Sequence, residues 1–302
     1  MNTQTSTALA WGSVLLAGVL WGVGALVAQS VMAKGMAPYS LSLARFALGL
    51  PLLWWWHWRQ VVATPAAAEW QHLSWRDRAL IMGTGLAMAM NVTCWFAGIT
   101  HIGAALPTVI SICCAPVIVA LLSVLRGYER ASARLLSALV LALGGVALIV
   151  VTREVSLPQD YAVGLLWSFA SAGLYALVVL GNARMPRQVS AVTASAWSMS
   201  VAALLMLAVA VMQGITWPHS SMEWLQVGYT GVFTTSIAYL AFAWGARRLS
   251  PTATVIGTLV EPVVTAVAAA WLFAQPLTGQ QCLGAALLGL AMLLLARRSA
   301  QG

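Results

Sequence analysis

Two ionisable side chains lie deep within long apolar stretches of the sequence, far from the loops that hold the other charges. They are Arg45, in the run 38–58, and Glu261, in the run 251–273. A charged group in so apolar a segment is costly unless it has a partner or a function. A guanidinium attracts a carboxylate, whereas a carboxylate attracts an ammonium group or takes up a proton. Two interpretations stay open: a structural pair that fixes one segment against the other, or two binding groups that face one cavity.

Aromatic side chains inside the apolar runs form the second group of candidates. A cavity lined by them would suit planar or amphipathic solutes, through stacking and through attraction between cations and ring faces. Asn91 stands four residues before one of these tryptophans, so it would share that helix face and could hydrogen-bond a solute. For any single aromatic residue, packing against a neighbouring helix is the competing interpretation. The candidates are Trp21, Trp95, Trp167, Tyr175 and Tyr239.

The composition of the whole chain shows what must surround these residues. Of 302 residues, 61% are hydrophobic and 7% are charged, with a mean hydropathy of +0.87. A soluble domain has about a quarter charged residues, so lipid must be the solvent for most of the exterior. The net charge of +8 then reflects loops beside a membrane rather than nucleic-acid binding. The four cysteines and four histidines have no metal-ligand spacing, and the sequence has no nucleotide-binding loop.

Charges, prolines and glycines divide the chain into ten apolar segments, each close to the roughly 20 residues that a membrane-spanning helix needs. Helix-start signals support three of them: Ser74 with Asp77 and Thr278 with Gln281 fit a capping box, and Ser250 before Pro251 fits a helix N-terminus. We therefore predict an all-α integral membrane protein. The segments are 9–31, 38–58, 78–99, 104–125, 133–152, 161–183, 189–213, 224–246, 251–273 and 279–296.

Lysine and arginine are distributed unequally between the loops on the two sides. With the amino terminus in the cytoplasm, twelve of the fifteen lie on the cytoplasmic side, two (Lys34 and Arg153) lie outside, and Arg45 lies within a span. Positive residues favour the cytoplasmic side, and adding or removing one helix destroys this pattern. We predict ten transmembrane helices with both termini in the cytoplasm. On this arrangement the depths of Arg45 and Glu261 differ by about 5 Å, given a rise of about 1.5 Å per residue.

The second half of the sequence repeats the first at an offset of 146 residues, which aligns Pro116 with Pro262. Because each half holds five spans, an odd number, the two halves enter the membrane in opposite directions. Inverted repeats of this kind are typical of secondary transporters, which bind their substrate between the repeats. We predict a first repeat at 1–153 and a second at 154–302, together forming one transport unit.

The aligned prolines are candidates for a hinge or gate. Pro116 and Pro262 each remove a backbone hydrogen bond in mid-span, which opens the helix. Paired interruptions mark a binding site or hinge in transporters, although proline is also common in membrane helices. Trp21 and Tyr175 are equivalent at an offset of 154, which makes them the strongest aromatic candidates.

Several stretches resemble the EamA type of drug/metabolite transporter. The sequence LVEPVVTAVAAAWLFAQPLTGQQCLGAALL at 259–288 resembles the last two helices of that family, and CAPVIVALLSVLRGYER at 114–130 resembles the same element in the first repeat. Leu-Trp-Gly at 20–22 and Ala-Arg-Phe at 44–46 also match the family. The resemblance covers essentially the whole chain, and its nearest branch is the YddG-like group of aromatic amino-acid exporters.

The resemblance implies a secondary transporter of the bacterial inner membrane that exports small metabolites without a cofactor. Amino acids are the expected substrates, with aromatic or hydrophobic ones favoured, and efflux of cationic drugs by proton antiport is the alternative. The expected partners are the solute, the lipid bilayer and, if transport is coupled, protons, with no nucleic acid. A membrane enzyme would need clustered acidic or histidine side chains within spans, and a channel would need a polar stripe or charge ring; the sequence has neither pattern.

One position departs from the family. The family usually has a glutamate before the last helix, where this chain has Gln275, while Glu129 keeps that glutamate in the first half.

Overall fold

Every regular element of the computed structural model is a helix within the residues that it describes, which are 3–63, 69–102, 105–150, 161–272 and 278–299. Helices satisfy all backbone groups internally, as a chain surrounded by lipid requires. A short 3-10 turn, Glu69–His72, precedes the third helix. The helices are α1 (Thr3–Ala33), α2 (Pro38–Ala63), α3 (Trp75–Ile102), α4 (Ala105–Leu125), α5 (Ala133–Val150), α6 (Tyr161–Ala183), α7 (Ala191–Gln213), α8 (Ser221–Tyr229, Thr230–Ile237 and Ala238–Ala246), α9 (Pro251–Thr258 and Val260–Leu272) and α10 (Gly279–Ser299).

The predicted apolar segments correspond one to one with these helices. α6 coincides with its segment, while α1 begins six residues before its segment does. Six helical stretches of the described chain are long and apolar enough to cross a membrane, and two shorter apolar stretches belong to α4 and α5. The protein is therefore multi-pass, and ten spans stays a prediction. The six stretches are Ser6–Ala33, Trp75–Ile99, Tyr161–Ala183, Ala191–Gln213, Pro251–Ala268 and Gly279–Ala296.

The three predicted helix starts are confirmed. At α3 the Asp77 N–H donates to the Ser74 hydroxyl at 3.2 Å. The Ser250 hydroxyl accepts a hydrogen bond from the Ala253 N–H at 3.2 Å, directly before Pro251 in the first turn of α9. At α10 the capping is reciprocal, because the Gln281 N–H donates to the Thr278 hydroxyl and the Thr278 N–H donates to the Gln281 side chain. These caps satisfy backbone donors that have no partner within the helix.

α8 contains a wide turn that the sequence analysis did not predict. Thr230–Ile237 is a π-helix, in which backbone hydrogen bonds skip one residue more than in an α-helix. The hydroxyls of Thr234 and Thr235 both donate to the Thr230 carbonyl, which occupies that acceptor. Gly231 lies against α2 so closely that a β-carbon there would be 2.7 Å from the Leu48 β-carbon.

α9 is broken at Leu259, between its two pieces. Pro262 explains the break, because it has no N–H to donate to the Thr258 carbonyl and its ring crowds that carbonyl. The predicted opening of this helix is confirmed. α4, in contrast, runs without interruption through Pro116, so the same prediction is wrong for the first half. A proline always removes one hydrogen bond, but the kink that follows can be absorbed without ending the helix.

The helices of the two halves pack in matching pairs. α3 packs on α6 and α7 just as α8 packs on α1 and α2, and α4 packs on α6 just as α9 packs on α1. The remaining large contacts, α2 with α7 and α5 with α10, each join a helix to its own counterpart. If each helix is replaced by its counterpart in the other half, five places away along the chain, the list of packed helix pairs stays the same. This is the packing expected of two halves related by a two-fold axis.

Loops rich in arginine meet at one end of the bundle, which we call the basic end. Arg247 donates to the carbonyls of Pro186 and Val189 there. The buried carboxylate of Glu129 accepts a hydrogen bond from the Thr252 N–H at 2.9 Å, which ties the loop after α4 to the start of α9.

At the opposite end lies Lys34, beside the loop that precedes α8. Glu223 accepts a hydrogen bond from the His219 N–H at 2.7 Å and caps the first turn of α8 together with Ser220. That backbone hydrogen bond lowers the pKa of the Glu223 carboxyl, because it stabilises the ionised form.

Candidate functional site

A cavity of about 280 Å³ lies in the middle of the bundle and is lined by seven helices from both halves. Its walls are largely apolar, with a few polar groups that converge on the same space, as is typical of small-molecule sites. The residues predicted from the sequence that line it are Trp21, Arg45, Asn91, Trp95, Tyr175, Tyr239, Glu261 and Pro262.

Arg45 reaches the cavity from α2 and is held by the π-helical turn of α8. Its Nε donates to the Thr235 hydroxyl at 3.2 Å, and that hydroxyl donates in turn to the Thr230 carbonyl. Its guanidinium carbon lies 5.9 Å from the centre of the Phe46 ring. The wide turn therefore orients the arginine through its Nε.

Glu261 enters the cavity from the point where α9 resumes. It lies in the first turn of the second piece, Val260–Leu272, where unsatisfied N–H groups favour a negative charge. Its carbonyl accepts a hydrogen bond from the Thr265 hydroxyl at 3.0 Å, and the same hydroxyl is 3.2 Å from the Gly22 carbonyl of α1. In the described part of the chain, no hydrogen bond or ion pair engages the Glu261 carboxylate.

The two charged residues face one cavity without touching. Within the described residues no ion pair joins Arg45 to Glu261, although the guanidinium charge acts on the carboxylate across the intervening space. Both lie among the residues that line the cavity. Of the two interpretations of the sequence, this geometry favours a pair of binding groups over a structural pair, because a structural pair would be in contact.

Aromatic rings form one wall of the cavity. Trp21 donates from Nε1 to the Thr234 carbonyl at 2.8 Å, and its ring lies 5.2 Å from that of Tyr239. Tyr239 in turn donates to the Met88 sulfur at 2.7 Å. These contacts fix the ring planes, so a solute would meet a rigid aromatic surface rather than mobile side chains.

Tyr175 and Asn91 bring polar groups to the cavity. The Tyr175 hydroxyl lies 3.2 Å from the Thr258 hydroxyl, beside the break in α9. The Asn91 amide nitrogen donates to the Ser171 carbonyl at 2.7 Å. No described residue donates to the side-chain oxygen of Asn91, which leaves an acceptor for a solute.

Two candidates lie elsewhere. Trp167 is 39% exposed on the outer surface of α6 and does not line the cavity. Pro116 is buried within α4, and its neighbour Ala115 lines the cavity instead. At the offset of 146 residues Ala115 is the counterpart of Glu261, so equivalent backbone positions from both halves meet the same space.

Sequence reasoning missed several polar lining residues. Ser111, Ser171, Thr234 and Thr258 all line the cavity. Serine and threonine are also frequent as packing residues between membrane helices, so their type alone does not distinguish them. The cluster Thr-Thr-Ser at 234–236, inside an otherwise apolar run, was the available signal.

The cavity is central and reaches toward the end of the bundle opposite the basic end. Its lining on α1 runs from Trp21 to Met32, near the end of that helix, and its lining on α3 runs from Met88 to Phe96. The first part of α1 is instead packed tightly: a β-carbon on Gly245 would be 2.8 Å from the Ala10 carbonyl. The cavity therefore extends from the middle of the bundle, where Val255 and Tyr239 line it, toward the end opposite the basic end.

A multi-pass helical bundle with a central polar cavity is the architecture of a membrane transporter, and the comparisons agree. The chain belongs to the EamA-like transporter family, which matches it twice, over residues 9–151 and 162–297. An uncharacterized transporter of Archaeoglobus fulgidus is 23% identical over 271 residues, covering 88% of each chain. A crystal structure of a protein that is 18% identical shares the fold, with a TM-score of 0.80 over 99% of both chains.

Proposed function

We propose that this transporter exports amino acids, with aromatic or hydrophobic ones favoured, by alternating access of one cavity between two inverted repeats. The observation that carries the proposal is the presence of two opposite charges, Arg45 and Glu261, that face the same aromatic cavity and do not touch. Such a pair matches a zwitterion, whose carboxylate and ammonium group would bind the guanidinium and the carboxylate respectively.

The size of the cavity supports a small substrate. Sites for drug-sized ligands hold about 300–1,000 Å³, and this cavity of about 280 Å³ lies at the lower limit. The rings of Trp21, Trp95 and Tyr239 offer faces for an aromatic or aliphatic side chain, and the free oxygen of Asn91 offers an acceptor for an ammonium group.

The arrangement of the halves supports alternating access. We propose that the repeats are residues 1–153 and 154–302, with opposite orientations, and that the basic end faces the cytoplasm of a bacterial cell. The cavity then opens toward the outside while the cytoplasmic side is closed. Rocking of one half against the other would expose the same groups to the cytoplasm.

Efflux of cationic compounds by proton antiport is the second candidate, because an acidic side chain among aromatic rings is a general site for cations. Arg45 opposes it, since its positive charge faces the same space. We therefore favour a zwitterion.

Counterflow in proteoliposomes tests the proposal. Vesicles containing the purified protein, preloaded with an unlabelled amino acid, should accumulate the same labelled amino acid saturably, with the best rates for aromatic and large aliphatic ones. Acceleration of cation efflux by an inward proton gradient, without amino-acid counterflow, would establish the second candidate. Absence of flux for every amino acid would contradict the first.

A further inference from the structure

A second cavity lies on the lipid-facing side of the bundle, at the basic end and apart from the central site. It has a volume of about 390 Å³ and is a groove between α3, α4 and α6. We call it the arginine groove. Its residues are Ala79, Leu80, Gly83, Thr84, Ala87, Leu122, Arg126, Tyr128, Leu177, Leu180, Gly181 and Arg184.

The mouth of the arginine groove carries two positive charges from separate loops. Arg126 follows α4 and Arg184 follows α6. The guanidinium of Arg184 stacks over the Tyr128 ring, with its central carbon 3.7 Å from the ring centre, which orients its donors. No described residue forms an ion pair with either arginine. The nearest acidic residue along the chain, Glu129, is buried and already bound to the Thr252 N–H.

The wall of the arginine groove is apolar and faces outward. Leu177 is 51% exposed although it lies in the interior of α6, and Gly83 and Ala79 leave a shallow channel along α3. In a bilayer this surface meets acyl chains. An apolar channel leading to paired guanidinium groups at the interface matches one lipid, with its chain along the helices and its headgroup at the loops.

We propose that the arginine groove binds an anionic phospholipid of the cytoplasmic leaflet, with its phosphate between Arg126 and Arg184 and one acyl chain along Leu177. Guanidinium groups bind phosphate oxygens in a bidentate manner, and basic pockets between helices on the cytoplasmic side bind anionic headgroups. The equivalent groove between α8, α9 and α1 lacks these charges, because Leu272 is the counterpart of Arg126 at the offset of 146 residues and Ser30 is the counterpart of Arg184 at the offset of 154.

Native mass spectrometry of the purified full-length protein, exchanged against vesicles of phosphatidylglycerol or phosphatidylcholine, tests the proposal. The wild type should retain phosphatidylglycerol selectively. The double variant Arg126→Gln/Arg184→Gln should bind it at least about 100-fold more weakly, because each charge-assisted hydrogen bond to the phosphate contributes a factor of about ten or more. The matched control is Arg130→Gln/Arg187→Gln, which removes two exposed arginines from the same two loops outside the groove. It should lose only general attraction to an anionic surface, which is at most about 30-fold.

A further variant keeps both arginines and fills the arginine groove with a larger side chain. Leu177→Trp should fill the arginine groove and reduce phosphatidylglycerol retention while both arginines remain. If both double variants lost the same affinity for phosphatidylglycerol, the effect would be a general attraction between basic loops and anionic lipid. If phosphatidylcholine were retained as well as phosphatidylglycerol, the two arginines would not select for the charge of the headgroup. Competition by soluble glycerol phosphate at equal concentration would assign the site to a free phosphate compound; each of these outcomes overturns the proposal.

Discussion

Glu261 lies inside α9, in the first turn after the break in that helix. Its carboxylate is unpaired within the described chain. Desolvation of an unpaired carboxylate costs several kcal/mol, and the adjacent helix N-terminus offsets only part of that. Such a group is retained where it binds something during the working cycle. A substrate ammonium group or a proton would neutralise the negative charge of this carboxylate.

Glu261→Gln should therefore reduce counterflow at least about tenfold, because a neutral amide loses a charge-assisted hydrogen bond worth about 1.5–3 kcal/mol. The substitution keeps the shape, so expression and membrane insertion should be unchanged. Glu223→Gln removes a carboxylate that caps α8 and does not line the cavity, and it is the control. Wild-type uptake kinetics for Glu261→Gln would exclude this residue from the mechanism.

The aromatic wall gives a second prediction at this scale, with a matched pair of tryptophans. Trp95→Ala should raise the apparent KM for aromatic amino acids by roughly 3- to 10-fold, since one aromatic contact contributes about 0.5–1.5 kcal/mol. Trp167→Ala removes the same ring from the outer surface and should leave KM unchanged. Equal KM values for the two variants, measured by initial-rate uptake, would remove the stacking role.

The sequence identified Arg45 and Glu261 because a charge within an apolar run is costly, and this argument needs no structure. It could not decide between a contact pair and a shared cavity, since that depends on side-chain directions. Trp167 shows the same limit: it lies within α6 as its segment predicted, but its position along the helix does not determine which face it occupies.

At the scale of elements, α1 positions Glu261 through a close backbone approach. A β-carbon at Gly22 would lie 2.7 Å from the Glu261 carbonyl and 3.0 Å from the Val264 β-carbon. Gly18 makes a similar approach to the Thr258 carbonyl, at 3.1 Å. The two glycines therefore hold α1 against both sides of the break in α9.

Gly22→Ala should displace α9 and with it the Glu261 backbone. Overpacking of this kind costs about 1–3 kcal/mol, so we expect lower thermal stability and at least a severalfold loss of counterflow. Gly12→Ala lies on the same helix where a β-carbon meets nothing within 4 Å, and it should behave as the wild type. Comparable losses of stability and counterflow in both variants would show that the close approach at Gly22 has no special role.

Element boundaries followed from the sequence better than irregularities within elements. Ser250 and Thr278 predicted helix starts because a capping hydroxyl acts locally. The break in α9 was predicted from Pro262, yet the equivalent Pro116 leaves α4 continuous. The π-helical turn at Thr230–Ile237 had no signal of its own, because it depends on contacts with α2 and on hydroxyl groups that compensate its hydrogen bonds.

At the scale of the whole molecule, the cavity extends from the centre of the bundle toward the end opposite the basic end. The charge asymmetry predicts that the basic end faces the cytoplasm, and the first part of α1 is packed tightly against α8 there. On the proposed orientation, the cavity would be reached from the outside.

Accessibility of introduced cysteines tests this arrangement, in a variant that lacks the four native cysteines. Met32→Cys, at the cavity, should react with a membrane-impermeant maleimide in intact cells, whereas Arg187→Cys should react only in inside-out vesicles. Ala253→Cys, which is 1% exposed, should be protected from both sides until substrate promotes the opposite-facing state. Reaction of Arg187→Cys in intact cells would reverse the orientation.

α9 is broken at Leu259, whereas its counterpart α4 is continuous. If the two halves trade conformations during each cycle, the continuous helix of the first half shows the form that α9 takes after the exchange, and the broken α9 shows the form that α4 takes. The structure of one state would then contain the shape that each half adopts in the other state. Superposing each half on the conformation of its counterpart would generate the opposite-facing state.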